Sequence, residues 1–145
     1  MSPIGSLRKG LDRLSQLDSL YKSEMPCSSS SLFEAASYHF NHPGKSFRAQ
    51  LALSSGDVLF QNQKDSLHWA AACELLHNAS LIHDDISDAS THRRGQSSIN
   101  HKFGTDMALC LGDWMVAKAF ELASRNHTHG GQLAALLAKA MQDTC

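Results

Sequence analysis

Apolar residues recur at helical spacing along most of this 145-residue sequence, and no stretch alternates apolar and polar residues as a β-strand does. The first apolar stripe runs through Leu7, Leu11, Leu14, Leu17 and Tyr21. No run of β-branched residues has the strand period, and valine occurs only at Val58 and Val116. The sequence therefore predicts an all-α fold.

Breakers and caps divide the chain into six predicted helices. Ser31 and Glu34 have the spacing of a capping box, which predicts a helix start at Ser31, and His42-Pro43-Gly44 predicts the end of that helix near Asn41. Asp65 or Ser66 is the expected cap of the fourth helix. The predicted helices cover residues 7–21, 31–41, 47–60, 67–88, 105–123 and 132–141, with a loop over 89–104.

Composition indicates one domain over residues 1–145 that needs no metal or disulfide to fold. Hydrophobic residues make up 42% of the chain and charged residues 19%, which is an ordinary balance for a folded domain. The formal net charge of −1 argues against nonspecific binding to nucleic acid or to an anionic membrane. Any recognition of phosphate must therefore come from local clusters of residues.

The four cysteines are widely separated, and no two form a Cys-x-x-Cys pair. We interpret them as reduced thiols rather than as a zinc or dithiol site. The first ten residues lack the pattern of a leader peptide, and no segment approaches the length of a transmembrane span, so neither is expected. These features predict a cytoplasmic protein.

Three aspartates, Asp84, Asp85 and Asp88, lie together at the end of the fourth predicted helix. At about 100° per residue they share one sector of the helix surface, where their charges repel unless solvent or a cation screens them. Oxygen ligands without a neighbouring thiolate suit Mg²⁺, which generally brings substrate phosphates with it. A solvated acidic helix end is the alternative interpretation.

Polar residues continue the same stripe toward the start of this helix. His77 lies on the stripe about 10 Å below Asp84, and Ser80 and Cys73 share it. A buried apolar helix would not line one face with such residues, so the stripe is predicted to be the wall of a cavity with a polar top. His83 lies on another face and is assigned a structural or supporting role.

Two basic segments could hold the phosphates. Arg93 and Arg94 follow the aspartates, and guanidinium groups can bind phosphate through two hydrogen bonds at once. Gly44, Lys45 and Arg48 open the third helix, where backbone amides and two cations could hold another diphosphate. Taken alone, each segment is more simply interpreted as a solvated basic turn.

Together these segments resemble the trans-polyprenyl diphosphate synthases, in order and at that family's spacing. The similarity covers residues 44–123. The longest matching motif is the continuous run from Glu74 to Asp88, which includes His77-Asn78-Ala79-Ser80 and His83-Asp84-Asp85. The shorter ones are Gly44-Lys45-Ser46-Phe47-Arg48, Arg93-Arg94-Gly95, Phe103-Gly104 and Leu111-Gly112-Asp113.

The resemblance implies a large bundle of antiparallel helices, usually homodimeric, that joins isopentenyl diphosphate to an allylic diphosphate with Mg²⁺. It implies that Asp84 and Asp88 are the main magnesium ligands, with Asp85 beside them, and that Arg93 contacts the allylic diphosphate. The residues implied to hold isopentenyl diphosphate are Gly44, Lys45, Arg48, His77 and Arg94.

The family also relates product length to the two residues four and five positions before the first aspartate, where bulky aromatic side chains stop elongation. Here these positions hold Ser80 and Ala79, both small. The helical wheel places Ser80 toward the cavity and Ala79 to one side. We therefore expect products longer than fifteen carbons, and an active enzyme that makes only a fifteen-carbon product would contradict this.

The sequence departs from the family in its length and in one motif. Family members are about twice as long and carry a second aspartate-rich motif, whereas the aspartates after Asp88 are isolated ones at Asp106, Asp113 and Asp143. Ser97 stands where the family usually has proline. The chain is therefore expected to be the amino-terminal half of such a synthase, inactive until the second half is supplied.

Half of a bundle would expose apolar helix faces, so self-association is expected, and a cooperatively melting monomer would contradict it.

Two other functions stay open. One is a non-catalytic paralogue or subunit that binds diphosphate or pairs with a full-length synthase. The other is an HD-type metal phosphohydrolase, suggested by the adjacent His83 and Asp84.

Overall fold

The computed structural model describes residues 3–42 and 44–144, with the side chains of residues 12–42 and 44–144. The side chains of Leu7 and Leu11, and residues Pro43 and Cys145, lie outside this description. The helices are α1 (Pro3–Glu24), α2 (Phe33–Phe40), α3 (Phe47–Val58), α4 (Gln63–Ser87), α5 (Ile99–Phe103), α6 (Thr105–Ser124) and α7 (Gly130–Thr144), and one small hairpin pairs β1 (His92–Arg93) with β2 (Gln96–Ser97).

The all-α prediction is confirmed, and the six predicted helices correspond to α1–α4, α6 and α7. The prediction of a plain loop over residues 89–104 is wrong, since the hairpin and α5 lie there. Strands of two residues are too short to show a hydrophobic period, and the five-residue α5 covers little more than one turn.

Two of the predicted helix starts are also displaced. No side chain caps α2 at Leu32, and the Oγ of Ser30 accepts the Leu32 amide, so the capping box at Ser31 does not form. The side chain of Asn62 caps α4 by accepting the amides of Lys64 and Asp65 at 2.9 and 3.3 Å. This cap starts α4 four residues before the predicted Leu67.

The long helix α4 is the centre of the core and packs chiefly between α6 and α3. Its inner face carries fully buried alanines, among them Ala70, Ala71, Ala72 and Ala79. Small side chains let neighbouring helices approach closely, and Gly112 of α6 lies directly against the imidazole of His83. The packing holds the end of α4, with its aspartates, rigidly beside α5 and α6.

The helix α1 is tied to α6 by a cluster of charged side chains. The carboxylate of Glu24 accepts hydrogen bonds from Lys118 at 3.2 Å and from the guanidinium of Arg125 at 2.5 and 3.0 Å. The bonds with Arg125, followed by those with Lys118, lower the pKa of Glu24 to about 2. Glu24 is therefore charged at all ordinary pH values and holds α1 in place.

Large apolar side chains on α3 and just after it are exposed in the described part of the chain. They are Phe47, Leu51, Val58, Leu59 and Phe60.

In the described part of the chain, Cys27, Cys73 and Cys110 are free thiols. None of the described helices has both the length and the apolar character that a membrane span needs.

Candidate active site at the end of α4

The three aspartates at the end of α4 do not share one surface. Asp84 and Asp88 are exposed, one turn apart, whereas Asp85 is buried. Among the described residues, no three His, Cys, Asp or Glu side chains converge as ligands for a metal ion. Asp84 and Asp88 are the two carboxylates that could hold a metal, and two carboxylates are the usual protein share of a magnesium site that also binds substrate phosphates.

Asp85 instead holds Arg93. Its Oδ2 and Oδ1 accept hydrogen bonds from Nε and Nη2 of Arg93 at 2.7 and 2.8 Å, in the two-pronged geometry that makes such pairs strong. These bonds raise the pKa of the Arg93 guanidinium above its usual value. The pair fixes the arginine next to the exposed Asp84 and Asp88.

The two adjacent arginines lie at the tip of the small hairpin, Arg93 in β1 and Arg94 in the loop. Arg94 and Gly95 form its two-residue loop with φ of 53° and 79°, the positive values that a tight hairpin turn requires. Ser97, where the family usually has proline, pairs with His92, and its carbonyl accepts the hydroxyl of Tyr38 at 3.1 Å. The hairpin is thereby anchored to α2.

Arg94 packs against the backbone of Gly44. A Cβ added at Gly44 would lie 2.6 Å from the Cζ of Arg94, so no larger residue fits without displacing the guanidinium. Gly44, Lys45 and Arg94 line one cavity of about 240 Å³ between α1, α2 and α4. The structure therefore brings together two basic segments that lie fifty residues apart in the sequence.

His77 lies half-buried on α4, and Arg48 is exposed on the first turn of α3. Burial lowers the pKa of His77, and the charge of Arg48 lowers it further, with smaller effects from Arg94 and Arg93. Both effects favour the neutral form of the imidazole.

Three polar residues, two of them buried and one half-buried, were assigned no role from the sequence. His39 of α2, Glu74 and Asn78 line the same cavity as Gly44 and Arg94. The spacing of four between Glu74 and Asn78 places them on one helix face and could have singled them out. His39 has no pattern around it that distinguishes it from the other eight histidines.

The two residues linked with product length differ in exposure. Ser80 is exposed on α4, and its hydroxyl donates to the carbonyl of His77 at 2.8 Å. Ala79 is fully buried in the core. The surface that carries Asp84 and Asp88 is therefore continued by Ser80 and not by Ala79.

His83 faces α6 rather than Asp84. Its Nε2 lies 3.4 Å from the Oδ1 of Asp113, and its ring packs on Gly112. Asp84 is exposed at the next position. The adjacent His83 and Asp84 thus have different surroundings, and this geometry does not favour an HD-type hydrolase.

Known proteins match this chain over a range that includes all the residues of the candidate site. A family model described as Polyprenyl synthetase matches residues 29–145. Geranylgeranyl diphosphate synthase of Saccharolobus solfataricus is 43% identical over 89 residues, which are 61% of this chain and 27% of that protein. Geranylgeranyl pyrophosphate synthase of Geoglobus acetivorans is 34% identical over 109 residues, which are 75% of this chain and 33% of that protein.

Solved structures match the fold over nearly the whole chain. Geranylgeranyl pyrophosphate synthetase from Pyrococcus horikoshii superimposes with a TM-score of 0.85 at 28% identity, over 95% of this chain and 43% of that one. Geranyltranstransferase from Thermotoga maritima gives 0.82 at 29% identity, over 92% and 52%. The chain thus spans about a third of these curated relatives and about half of these solved chains.

Proposed function

The chain belongs to the polyprenyl synthetase family, and we propose that it supplies the diphosphate-binding half of a trans-prenyltransferase site. The substrates would be isopentenyl diphosphate and an allylic diphosphate. The observation that carries this proposal is the pair of exposed carboxylates, Asp84 and Asp88, beside an arginine that Asp85 holds in place.

Asp84 and Asp88 would hold Mg²⁺ against the allylic diphosphate. The ion would neutralise charge on the departing diphosphate as the carbon–oxygen bond breaks. Arg93 would contact the same diphosphate, and its pairing with Asp85 means that little conformational freedom is lost when the ligand binds. Asp85, which is buried and paired with Arg93, would have a supporting role rather than a place among the metal ligands.

Gly44, Lys45, Arg48, His77 and Arg94 would bind the diphosphate of isopentenyl diphosphate. The double bond of that substrate would attack the allylic carbocation, and a proton would then leave from the new product. The diphosphate released in the first step would take up this proton. The protein's share is therefore to position both diphosphates and to stabilise the charge that develops.

Isothermal titration with Mg²⁺ and a non-hydrolysable thiolo analogue of an allylic diphosphate tests the proposal. We expect magnesium-dependent binding that weakens about tenfold or more in Asp84→Asn and in Asp88→Asn, because each loses a ligand charge. Asp106→Asn, which changes an exposed aspartate at the start of α6, should bind like the wild type. Unchanged binding by the Asp84→Asn/Asp88→Asn double variant would contradict the proposal.

A non-catalytic binding subunit is the second candidate. It is favoured by the described residues, among which no three His, Cys, Asp or Glu side chains converge as ligands for a metal ion. An assay for chain elongation run beside the titration separates the two. Binding without turnover supports the subunit, whereas turnover by the chain alone excludes it.

Product length and assembly belong to the same proposal. The small, exposed Ser80 below Asp84 supports products longer than fifteen carbons, whereas Ala79 is enclosed by the core and would not line the path of the product.

The exposed apolar residues on and after α3 support self-association, with a homodimer as the simplest form. The cytoplasmic location stays a prediction.

A further inference from the structure

Beneath Arg94 the chain carries a buried polar network that the proposed reaction does not use directly. The side chain of Asn78 donates from Nδ2 to the backbone carbonyl of Glu74 at 2.7 Å. Its Oδ1 lies 3.1 Å from Nε2 of His39 and 3.5 Å from Nη2 of Arg94. One buried amide therefore connects α2, α4 and the hairpin turn.

The chemistry of these partners fixes the direction of each hydrogen bond. A backbone carbonyl only accepts, so Nδ2 of Asn78 faces Glu74 and Oδ1 faces the other two groups. Because Oδ1 also only accepts, His39 must present Nε2–H to it. Burial lowers the pKa of His39 to about 4, so this imidazole is neutral at pH 7 and adds no charge beside the guanidinium.

Glu74 extends the network to the other basic segment. Its Oε2 accepts the backbone amide of Ala49 at 3.1 Å, within the first turn of α3. One face of α4 thus holds the segment that carries Lys45 and Arg48 and, one turn later, contacts Arg94. Arg94 also packs on Gly44, so the two basic segments meet above these buried side chains.

We propose that Asn78, held in orientation by His39, positions the guanidinium of Arg94 for diphosphate binding. The inference rests on the proposed function, since it assumes that Arg94 binds a diphosphate. Asn78 and His39 would be positioning residues, because they act through Arg94 and do not touch the ligand. The side chain of Asn78 is uncharged, so the contact at 3.5 Å orients the guanidinium and leaves its positive charge for the ligand.

Calorimetric titration of the 145-residue chain with isopentenyl diphosphate provides the test. Asn78→Ala should weaken binding about threefold to tenfold, the loss expected from one removed hydrogen bond. Asn78→Asp should weaken it at least as much, because its carboxylate would compete with the diphosphate for Arg94. In an Arg94→Ala background both substitutions should have no further effect, which a general loss of structure would not produce.

His39 offers a test by conservative replacement. His39→Gln keeps an N–H donor for Asn78 and should bind nearly as the wild type does, whereas His39→Leu removes the donor and should weaken binding about threefold. Urea unfolding of each variant separates altered stability from altered binding. Equal binding by these two variants, or additive losses in the Arg94→Ala background, would overturn the inference.

The outcomes also distinguish this inference from the proposed function. If the wild type binds no diphosphate, or if Arg94→Ala binds as tightly as the wild type, then the assignment of Arg94 fails and the positioning role fails with it. If Arg94→Ala weakens binding but Asn78→Ala does not, the function stands and only the positioning role is overturned.

Discussion

Replacing Arg93 with methionine is expected to lower the free energy of unfolding by about 3 kcal/mol, because it leaves the carboxylate of Asp85 buried without its cation. The side chain of Asp85 is only 4% exposed, whereas that of Arg93 is 32% exposed. Removing the charge of Asp85 instead should therefore cost less free energy of unfolding than removing that of Arg93. Asp85→Asn keeps one acceptor and leaves a guanidinium that can reach water, so about 1 kcal/mol is expected.

Urea unfolding at pH 7 measures this asymmetry. The double variant Arg93→Met/Asp85→Asn should be more stable than Arg93→Met alone, because no charge is then left buried. Arg48→Met, which changes an exposed arginine on α3, serves as the control and should change stability by less than about 0.5 kcal/mol. Equal losses from the two single changes would contradict the assignment of Asp85 as the buried partner.

Replacing Glu24 with glutamine should cost about 2 kcal/mol at pH 7, because the charged cluster that ties α1 to α6 loses its central carboxylate. The pKa of Glu24 is lowered from 4.5 to about 2 in the folded chain, and its side chain is 17% exposed. A lowered pKa in the folded state means that the carboxylate stabilises the fold above pH 4.5.

The same linkage gives the expected pH profile. The stability difference between wild type and Glu24→Gln should be complete above pH 4.5 and should shrink as the pH falls through 2, below which the carboxylate is protonated in both folded and unfolded chains. Glu34→Gln, at an exposed position in the first turn of α2, is the control. A Glu24→Gln difference that does not vary between pH 7 and pH 3 would contradict the assignment.

Helix type and order could be predicted from the sequence because each helix carries a stripe of apolar residues and is bounded by breakers. Helix starts were less predictable, since Ser31 and Asn62 both have capping side chains and only the structure shows that Asn62 caps. The hairpin was missed because two-residue strands have no period. Its Arg94-Gly95 dipeptide is compatible with a turn, but no strand pattern flanks it in the sequence.

The site was predictable where the residues are close in sequence and not where distant partners decide. Spacing alone placed Asp85 beside Asp84 and Asp88, but its burial depends on a guanidinium eight residues later. The side chain of His39 contacts Asn78, thirty-nine residues away, and no local pattern predicts such a contact. A helical wheel shows in which direction each side chain of one helix points, but not which residues of other elements lie in that direction.

The tight hairpin makes this segment intolerant of changes in length. The pairs His92–Ser97 and Arg93–Gln96 leave room for two loop residues, Arg94 and Gly95. Because the two-residue loop sets the register of the pairs beside it, inserting or deleting one residue here would displace Arg93 from Asp85 and Arg94 from Gly44. Length variation among homologues should therefore accumulate elsewhere, such as between α6 and α7, while the arginine spacing stays constant.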